Sequence, residues 1–283
     1  MLRFARSFTT SCRPVRLAFD KYSPKQGSQG SPLVICHGLF GSKQNWTSLC
    51  RAAAQRFQRD IYAVDLRNHG SSPQDPQHDF EAMAADLLTF IDDHQLIQPI
   101  LMGHSMGGKA VLRAALEQPD RISKVISVDM PPVPLTLSKG FRTYIQGMNE
   151  VDQAQCTKQS QADEILKKYE SDVGIRLFLL TNLKRQGDNN TFHVRLPLAI
   201  LNDALDHIGQ FPLDDLANKV YDRPTLFIAG GKSPYYPPFT KHQQQIKELF
   251  PNSHLTVIEG AGHWVHAEKP DQVLQAVGGF IKE

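Results

Sequence analysis

The chain is poor in cysteine, in long apolar runs and in net charge. It has four cysteines in 283 residues, Cys12, Cys36, Cys50 and Cys156, with no C-x-x-C pair and no metal-ligand spacing. That pattern excludes a disulfide framework and a cysteine zinc site, and it points to a reducing compartment. Cys36 lies inside an apolar run and reads as a small core residue. No apolar stretch approaches the roughly 20 residues that a helix needs to span a bilayer. The net charge is +2, so no strong field for nucleic acid or acidic membranes is implied. Acidic residues are also missing from the start, where the first carboxylate is Asp20.

That acid-free start carries Arg3, Arg6, Arg13 and Arg16. On a helical wheel, Arg3, Arg6 and Arg13 fall opposite Phe4, Ala5 and Phe8, with Ser7, Thr9, Thr10 and Ser11 completing the composition. An amphipathic, Arg-bearing, hydroxyl-rich and acid-free segment predicts a mitochondrial presequence over residues 1–19, with the matrix as destination. No unbroken apolar core follows the charges, which argues against a secretory signal. A basic tail without an addressing role is the alternative.

What the chain does have is 41% hydrophobic and 21% charged residues, enough apolar sequence for a large globular core. Strand-like and helix-like segments alternate, which predicts an α/β fold with a mostly parallel central sheet flanked by helices. The strand candidates are Val15–Phe19, Leu33–Cys36, Ile61–Val64, Ile100–Met102, Lys124–Val128, Thr225–Ile228 and Leu255–Ile258. Most are short apolar runs, as strands covered on both faces require. Asp79 to His94 has an apolar stripe at helical spacing, and a closing helix starts at Pro270. The alternation stops between Pro131 and Pro224. Residues 131–223 read as a helical insertion capping the sheet, with a turn at Gly187-Asp188-Asn189-Asn190. An independent helical domain is the competing reading, but the return of strand pattern at Thr225 favours an insertion.

Three loops carry chemistry. Gly103-His104-Ser105-Met106-Gly107 matches G-x-S-x-G, follows a strand and precedes a helix-like stretch, Lys109 to Glu117. A serine on such a sharp turn stands clear of the sheet, and glycines two residues to either side avoid clashes. His104 reads as a packing or hydrogen-bonding residue. His37-Gly38-Leu39-Phe40-Gly41 follows an earlier strand, so the backbone amides of Leu39 and Met106 are candidates for an oxyanion hole. Gly260-Ala261-Gly262-His263-Trp264 follows the last strand and puts His263 where a general base must stand. His263 and His266 have no companion ligands to suggest a metal, and Trp264 reads as packing. The acid is less direct. The loop after the penultimate strand, Gly230 to Pro234, holds no Asp or Glu, and Asp222 lies at the wrong end of that strand. Asp129 ends Lys124–Val128 at the right edge and in the order Ser, Asp, His, with Asp203 and Asp206 in the insertion as rivals.

From about Val15 onward these segments resemble the α/β-hydrolase superfamily. More narrowly, these three loops, together with Asp65-Leu66-Arg67-Asn68-His69-Gly70-Ser71-Ser72, Val128-Asp129-Met130-Pro131-Pro132-Val133 and Val265-His266-Ala267-Glu268, are similar to the ABHD11-like group of abhydrolase-domain proteins. That group includes mitochondrial proteins, small bacterial esterases and thioesterases, and fungal ethanol acetyltransferases. The resemblance places the acid on Asp129 and implies a mitochondrial location. The expected activity is hydrolysis of a small-molecule acyl ester or thioester, with Ser105 as nucleophile and neither metal nor organic cofactor. Acyl transfer to an alcohol on the same residues is the alternative. A silent binding protein on this fold is a third reading, against which the intact serine, aspartate and histidine argue.

Overall fold

The computed structural model describes residues 12–137, 140–187, 190–212, 216 and 219–282. Most of the expected presequence, residues 1–11, lies outside them, as do Asp188 and Asn189 of the expected turn. Seven strands form one sheet: β1 Phe19–Tyr22, β2 Leu33–Cys36, β3 Ile61–Val64, β4 Ile100–His104, β5 Lys124–Val128, β8 Thr225–Gly230 and β9 Ser253–Ile258. Their order is β1-β3-β2-β4-β5-β8-β9. Only β1 runs antiparallel, pairing Phe19 with Val64 and Tyr22 with Ile61. The fold is the α/β-hydrolase fold, a mostly parallel sheet between helices.

The sheet's inner strands read as unbroken apolar runs because each face meets a different core. Val34, Cys36, Val64, Leu101 and Val125 point into one cluster, whereas Leu33, Ile35, Ala63, Met102 and Ile126 point into the other. This is the two-residue period of a strand buried on both sides. The first cluster packs against α2 Phe80–Asp93 and α3 Met106–Glu117. The second packs against α1 Thr47–Phe57 and α11 Pro270–Lys282. Asp79 caps α2 by accepting the Ala82 amide at 2.8 Å. No helix among the described residues is long and apolar enough to cross a membrane.

The expected first strand, Val15–Phe19, shifts to Phe19–Tyr22. Val15 and Leu17 are spent on packing against the core instead of on a ladder. Its backbone binds side chains: the Val15 amide donates to Asp86 Oδ1 at 2.7 Å and the Ala18 amide to Ser72 Oγ at 2.8 Å. Residues 13–18 are thereby held to the domain.

Between β5 and β8 lie α4 Gly140–Gln153, α5 Gln159–Leu166, α6 Val173–Leu180, β6 Leu183–Gln186, β7 Thr191–Val194 and α7 Leu198–Gly209. The hairpin β6–β7 was not expected in a stretch that reads as strand-poor. Its first strand, Leu183-Lys184-Arg185-Gln186, has no apolar alternation and is mostly exposed. Cross-strand contacts hold it instead, among them the Arg185 guanidinium 4.2 Å from the centre of the Phe192 ring. After β8 come α8 Pro237–Lys241 and α9 Gln243–Leu249, and α10 Val265–Glu268 follows β9.

A buried lysine ties this segment to the sheet's central helix. Lys109, in the first turns of α3, is fully buried and donates from Nζ to the carbonyls of Gly209 at 2.7 Å and Gln210 at 3.0 Å. Those carbonyls end α7, where the helix dipole is negative. Burial lowers the Lys109 pKa to about 7. An unfolded lysine titrates near 10.4. Between about pH 7 and pH 10 the unfolded chain therefore binds more protons at this position, so folding gains as pH rises through that window and loses as it falls. Compared with Lys109→Met, the wild-type protein should gain stability with pH over this range, by up to about 1.4 kcal/mol per pH unit. Urea midpoints of the two proteins between pH 7 and 9.5 check it; parallel curves would refute it.

Candidate active site

Strand β4 ends at His104 and α3 begins at Met106, which leaves Ser105 alone to make the turn. It does so at φ 54°, ψ −119°, a conformation unusual for a residue with a side chain. Such strain costs on the order of 1–3 kcal/mol and is retained where the surroundings enforce it. Here the Ser105 amide donates to Val128 O of the next strand at 3.0 Å, and its carbonyl accepts the Lys109 amide at 3.2 Å. The helix starts three residues earlier than the sequence pattern suggested, so the Met106 amide lies in a first turn that has no intrahelical acceptors.

Asp129 follows β5 directly and also has a left-handed backbone, φ 55°. Its amide donates to Ile228 O of β8 at 2.6 Å. Its fully buried carboxylate accepts three donors. Oδ1 takes the Gly230 amide at 2.9 Å, and Oδ2 takes the Ser233 hydroxyl and His263 Nδ1 at 2.7 Å. His263, in the loop after β9, places Nε2 3.0 Å from Ser105 Oγ. Since Asp129 can only accept when ionised, Nδ1 carries the ring proton and Nε2 offers its lone pair to the serine. The structure thus brings Ser105, His263 and Asp129 into one hydrogen-bonded line. Asp203 and Asp206 are exposed on α7, where Asp206 meets Arg142 at 3.5 Å, and neither joins that line.

Sequence reasoning missed Ser233. The loop after β8 stood out for lacking an acid. In the fold it supplies the Ser233 hydroxyl and the Gly230 amide to an acid on the neighbouring strand. Nothing in the Gly230-Gly231-Lys232-Ser233-Pro234 run singles that hydroxyl out. Tyr235, two residues on, sets its ring centre 4.6 Å from that of His263.

The loop after β2 lies directly against Ser105. A side chain on Gly38 would put its Cβ 2.9 Å from His104 Nδ1 and 3.1 Å from Ser105 Cβ. Leu39 and Met106 are both buried beside it. His104 donates from Nε2 to His263 O at 2.8 Å, which fixes the loop that bears His263. Burial, with His266 and His263 nearby, drives its pKa well below the ordinary histidine range. His266 stacks on Trp46 with ring centres 4.1 Å apart, and burial lowers it to about 3. Both rings stay neutral around His263.

A cavity of about 660 Å³ opens over Ser105. Leu39, Phe141, Tyr144, Ile175, Phe178 and Trp264 give it mostly apolar walls, drawn from the loop after β2, from α4 and α6, and from the His263 loop. Trp264, expected only to pack, therefore also faces this space. Among the described residues no group of His, Cys, Asp or Glu could hold a metal ion.

The turn tolerates no added atom at Gly103. A Cβ there would stand 2.0 Å from the Gly107 carbonyl oxygen, which is backbone and cannot swing aside. Gly103→Ala should therefore cost several kcal/mol. A melting temperature within a few degrees of wild type would show that the turn opens more easily than this contact allows.

A profile for the alpha/beta hydrolase fold matches residues 31–270. An abhydrolase domain-containing protein of Schizosaccharomyces pombe is 40% identical, over 96% of this chain and 99% of its own. A Mus musculus protein named sn-1-specific diacylglycerol lipase ABHD11 is 39% identical, over 95% of this chain and 86% of its own. A solved marine microorganism esterase superposes with a TM-score of 0.85 at 30% identity, covering 94% of this chain and 99% of its own. The chain belongs to the α/β-hydrolase family and, within it, to the ABHD11-like group.

Proposed function

We propose that this hydrolase cleaves acyl esters or thioesters through Ser105, His263 and Asp129. The observation that carries the reading is the continuous pair of hydrogen bonds, Ser105 Oγ to His263 Nε2 at 3.0 Å and His263 Nδ1 to Asp129 Oδ2 at 2.7 Å. His263 takes the serine proton as Oγ attacks the carbonyl carbon. The Leu39 and Met106 amides bind the oxyanion. His263 then returns the proton to the departing alcohol or thiol, and water attacks the acyl-enzyme with His263 again as base. The apolar cavity suits an acyl chain, and the relatives named as a lipase and an esterase favour hydrolysis over transfer.

A fluorophosphonate probe should label the wild-type chain and leave Ser105→Ala untouched. The same variant should lose several orders of magnitude of turnover on a p-nitrophenyl ester while keeping its fold. Surviving activity would remove Ser105 from the role. Adding ethanol to the assay separates the two outcomes of the acyl-enzyme, since free acid marks hydrolysis and ethyl ester marks transfer.

Asp129→Asn should lower turnover by about four decades, because an amide facing Nδ1 favours the wrong imidazole tautomer. Ser233→Ala removes one of three donors to the carboxylate and should cost about tenfold. Asp203→Asn should stay near wild type. Near-normal turnover in Asp129→Asn would overturn the assignment of the acid.

We also propose that the N-terminal segment directs the chain to the mitochondrial matrix. The Arg13 carbonyl accepts from Arg67 Nη2 at 3.4 Å and Leu17 is buried, so processing that spares these contacts falls before Arg13 instead of at residue 19. A fusion of residues 1–25 to a fluorescent protein should enter mitochondria, and the mature N-terminus should map upstream of Arg13. Diffuse cytosolic fluorescence would exclude the address.

A further inference from the structure

The loop after β2 holds three successive peptide planes; the first is fixed by groups within the loop and the other two by side chains from distant segments. The Gly38–Leu39 plane is fixed through Gly38 O, which accepts His37 Nδ1–H at 2.8 Å and the Gly41 amide at 2.9 Å. In a trans peptide the N–H points opposite the carbonyl, so these bonds aim the Leu39 amide. The Leu39–Phe40 plane is fixed through the Phe40 amide, which donates to His69 Nε2 at 3.1 Å. The Phe40–Gly41 plane is fixed through Phe40 O, which accepts Asn182 Nδ2 at 2.8 Å. That last peptide supplies the Gly41 amide that binds Gly38 O. Phe40 itself sits at φ 62°, where a side-chain-bearing residue needs external restraint.

Proton positions follow from the partners. His69 Nδ1 lies 2.9 Å from Arg67 O, a carbonyl that can only accept. Nδ1 therefore carries the hydrogen and Nε2 accepts. Asn182 has two carbonyls before its Nδ2, Phe40 O and Leu179 O at 3.3 Å, which settles the orientation of its amide. Both side chains are buried, Asn182 fully and His69 to 2% exposure. His69 is contributed by the Asp65–Ser72 loop. Asn182 stands just past α6, the helix whose Ile175 and Phe178 face the cavity.

We infer that Asn182 and His69 are positioning residues that clamp the Phe40 backbone and thereby aim the Leu39 amide at the oxyanion. The inference rests on the proposed roles of Ser105 and of the Leu39 amide. It assigns to the segment between β5 and β8 a part in transition-state stabilisation, through a side chain that touches no substrate. Without the Asn182 donor, the Phe40–Gly41 peptide can rotate, the Gly41 bond to Gly38 O loosens, and the Leu39 amide loses its aim. Loss of one oxyanion donor costs about 10² to 10³ in turnover. A loosened donor should cost less, about tenfold to hundredfold.

The test compares Asn182→Leu, which keeps volume and removes the donor, with Asn182→Ser, which is small enough to fold but too short to reach Phe40 O. His69→Ala and His69→Gln form a second pair, the glutamine retaining an acceptor for the Phe40 amide. Each is measured for kcat and KM on one p-nitrophenyl ester, for affinity toward an arylboronic acid that forms a tetrahedral adduct on serine, and for thermal stability. In both Asn182 variants and in His69→Ala, kcat and boronate affinity should fall together by about tenfold to hundredfold, with KM within about twofold. His69→Gln should recover most of the loss. A merely structural role would lower the melting temperature and leave the kcat and boronate affinity of the folded fraction intact, and that result would overturn the proposal. Ser105→Ala separates the two levels. If it remains active, the reading of the site fails; if it is dead while all clamp variants turn over normally, the clamp alone fails.

Discussion

The site depends on left-handed backbone at the carboxyl ends of three neighbouring parallel strands. Phe40 beyond β2, Ser105 at the end of β4 and Asp129 at the end of β5 have φ of 62°, 54° and 55°. None is glycine, so each carries strain of order 1–3 kcal/mol that the rest of the fold must offset. The restraints run from strand to strand. Ser105 donates to the carbonyl of Val128, and Asp129 donates to the carbonyl of Ile228. The ends of β5 and β8 thus hold Ser105 and Asp129, side chains hold Phe40, and the two core clusters on either side hold the strands. The line from serine to carboxylate is a consequence of that lateral bonding. It requires β4, β5 and β8 to lie side by side, as the sheet order provides.

A second constraint is charge. The chain has eleven histidines, and five of them, His37, His69, His78, His104 and His266, are pushed below the ordinary range chiefly by burial. A neutral imidazole is both a donor and an acceptor, so it can join a backbone amide to a backbone carbonyl. His37 does this between the Leu66 amide and Gly38 O, and His69 between the Phe40 amide and Arg67 O. Protonation would turn the acceptor nitrogen of each into a donor facing another donor. The low pKa values and the hydrogen-bond pattern are therefore two views of one arrangement. They also keep positive charge away from His263, which in the proposed reaction must itself become an imidazolium.

The sequence made the local features legible and left the distant ones hidden. The turn at Ser105 was readable because its requirements, a short strand, glycines at fixed offsets and a helix, all lie within a dozen residues. Helix α2 was readable from its apolar stripe alone. His263 followed from chain order and the rule that parallel strands present their carboxyl ends on one edge, whereas the same reasoning left Asp129 with rivals in Asp203 and Asp206 and needed the family resemblance to choose between them. Residues 15–18 were misread because an alternating apolar pattern fits packing on a helix as well as pairing in a sheet. The β6–β7 hairpin escaped because its first strand is polar and gains its place from its partner. Ser233, His69 and Asn182 escaped for another reason. Their partners lie 104, 29 and 142 residues away, and a lone serine, histidine or asparagine has no pattern of its own to announce it.

The segment between β5 and β8 is therefore bound to the sheet at two places with different consequences. At its far end, the carbonyls of Gly209 and Gln210 accept from Lys109 Nζ, in the helix that begins at the serine turn. That contact is a buried lysine facing helix-end dipoles, and it bears on stability, since lysine loses hydration on burial and regains only part of it from two carbonyls. Near its middle, Asn182 meets Phe40 O through one neutral hydrogen bond. Such a bond contributes about 1 kcal/mol to folding, too little to hold the segment in place by itself. Its geometric effect is larger than its energy, because it acts on a backbone already bent into a sparsely populated region. A restraint of that kind narrows the range of orientations available to a few peptide planes. Differential binding of a transition state depends on orientation to fractions of an ångström, so a weak bond in that position can affect turnover far more than stability.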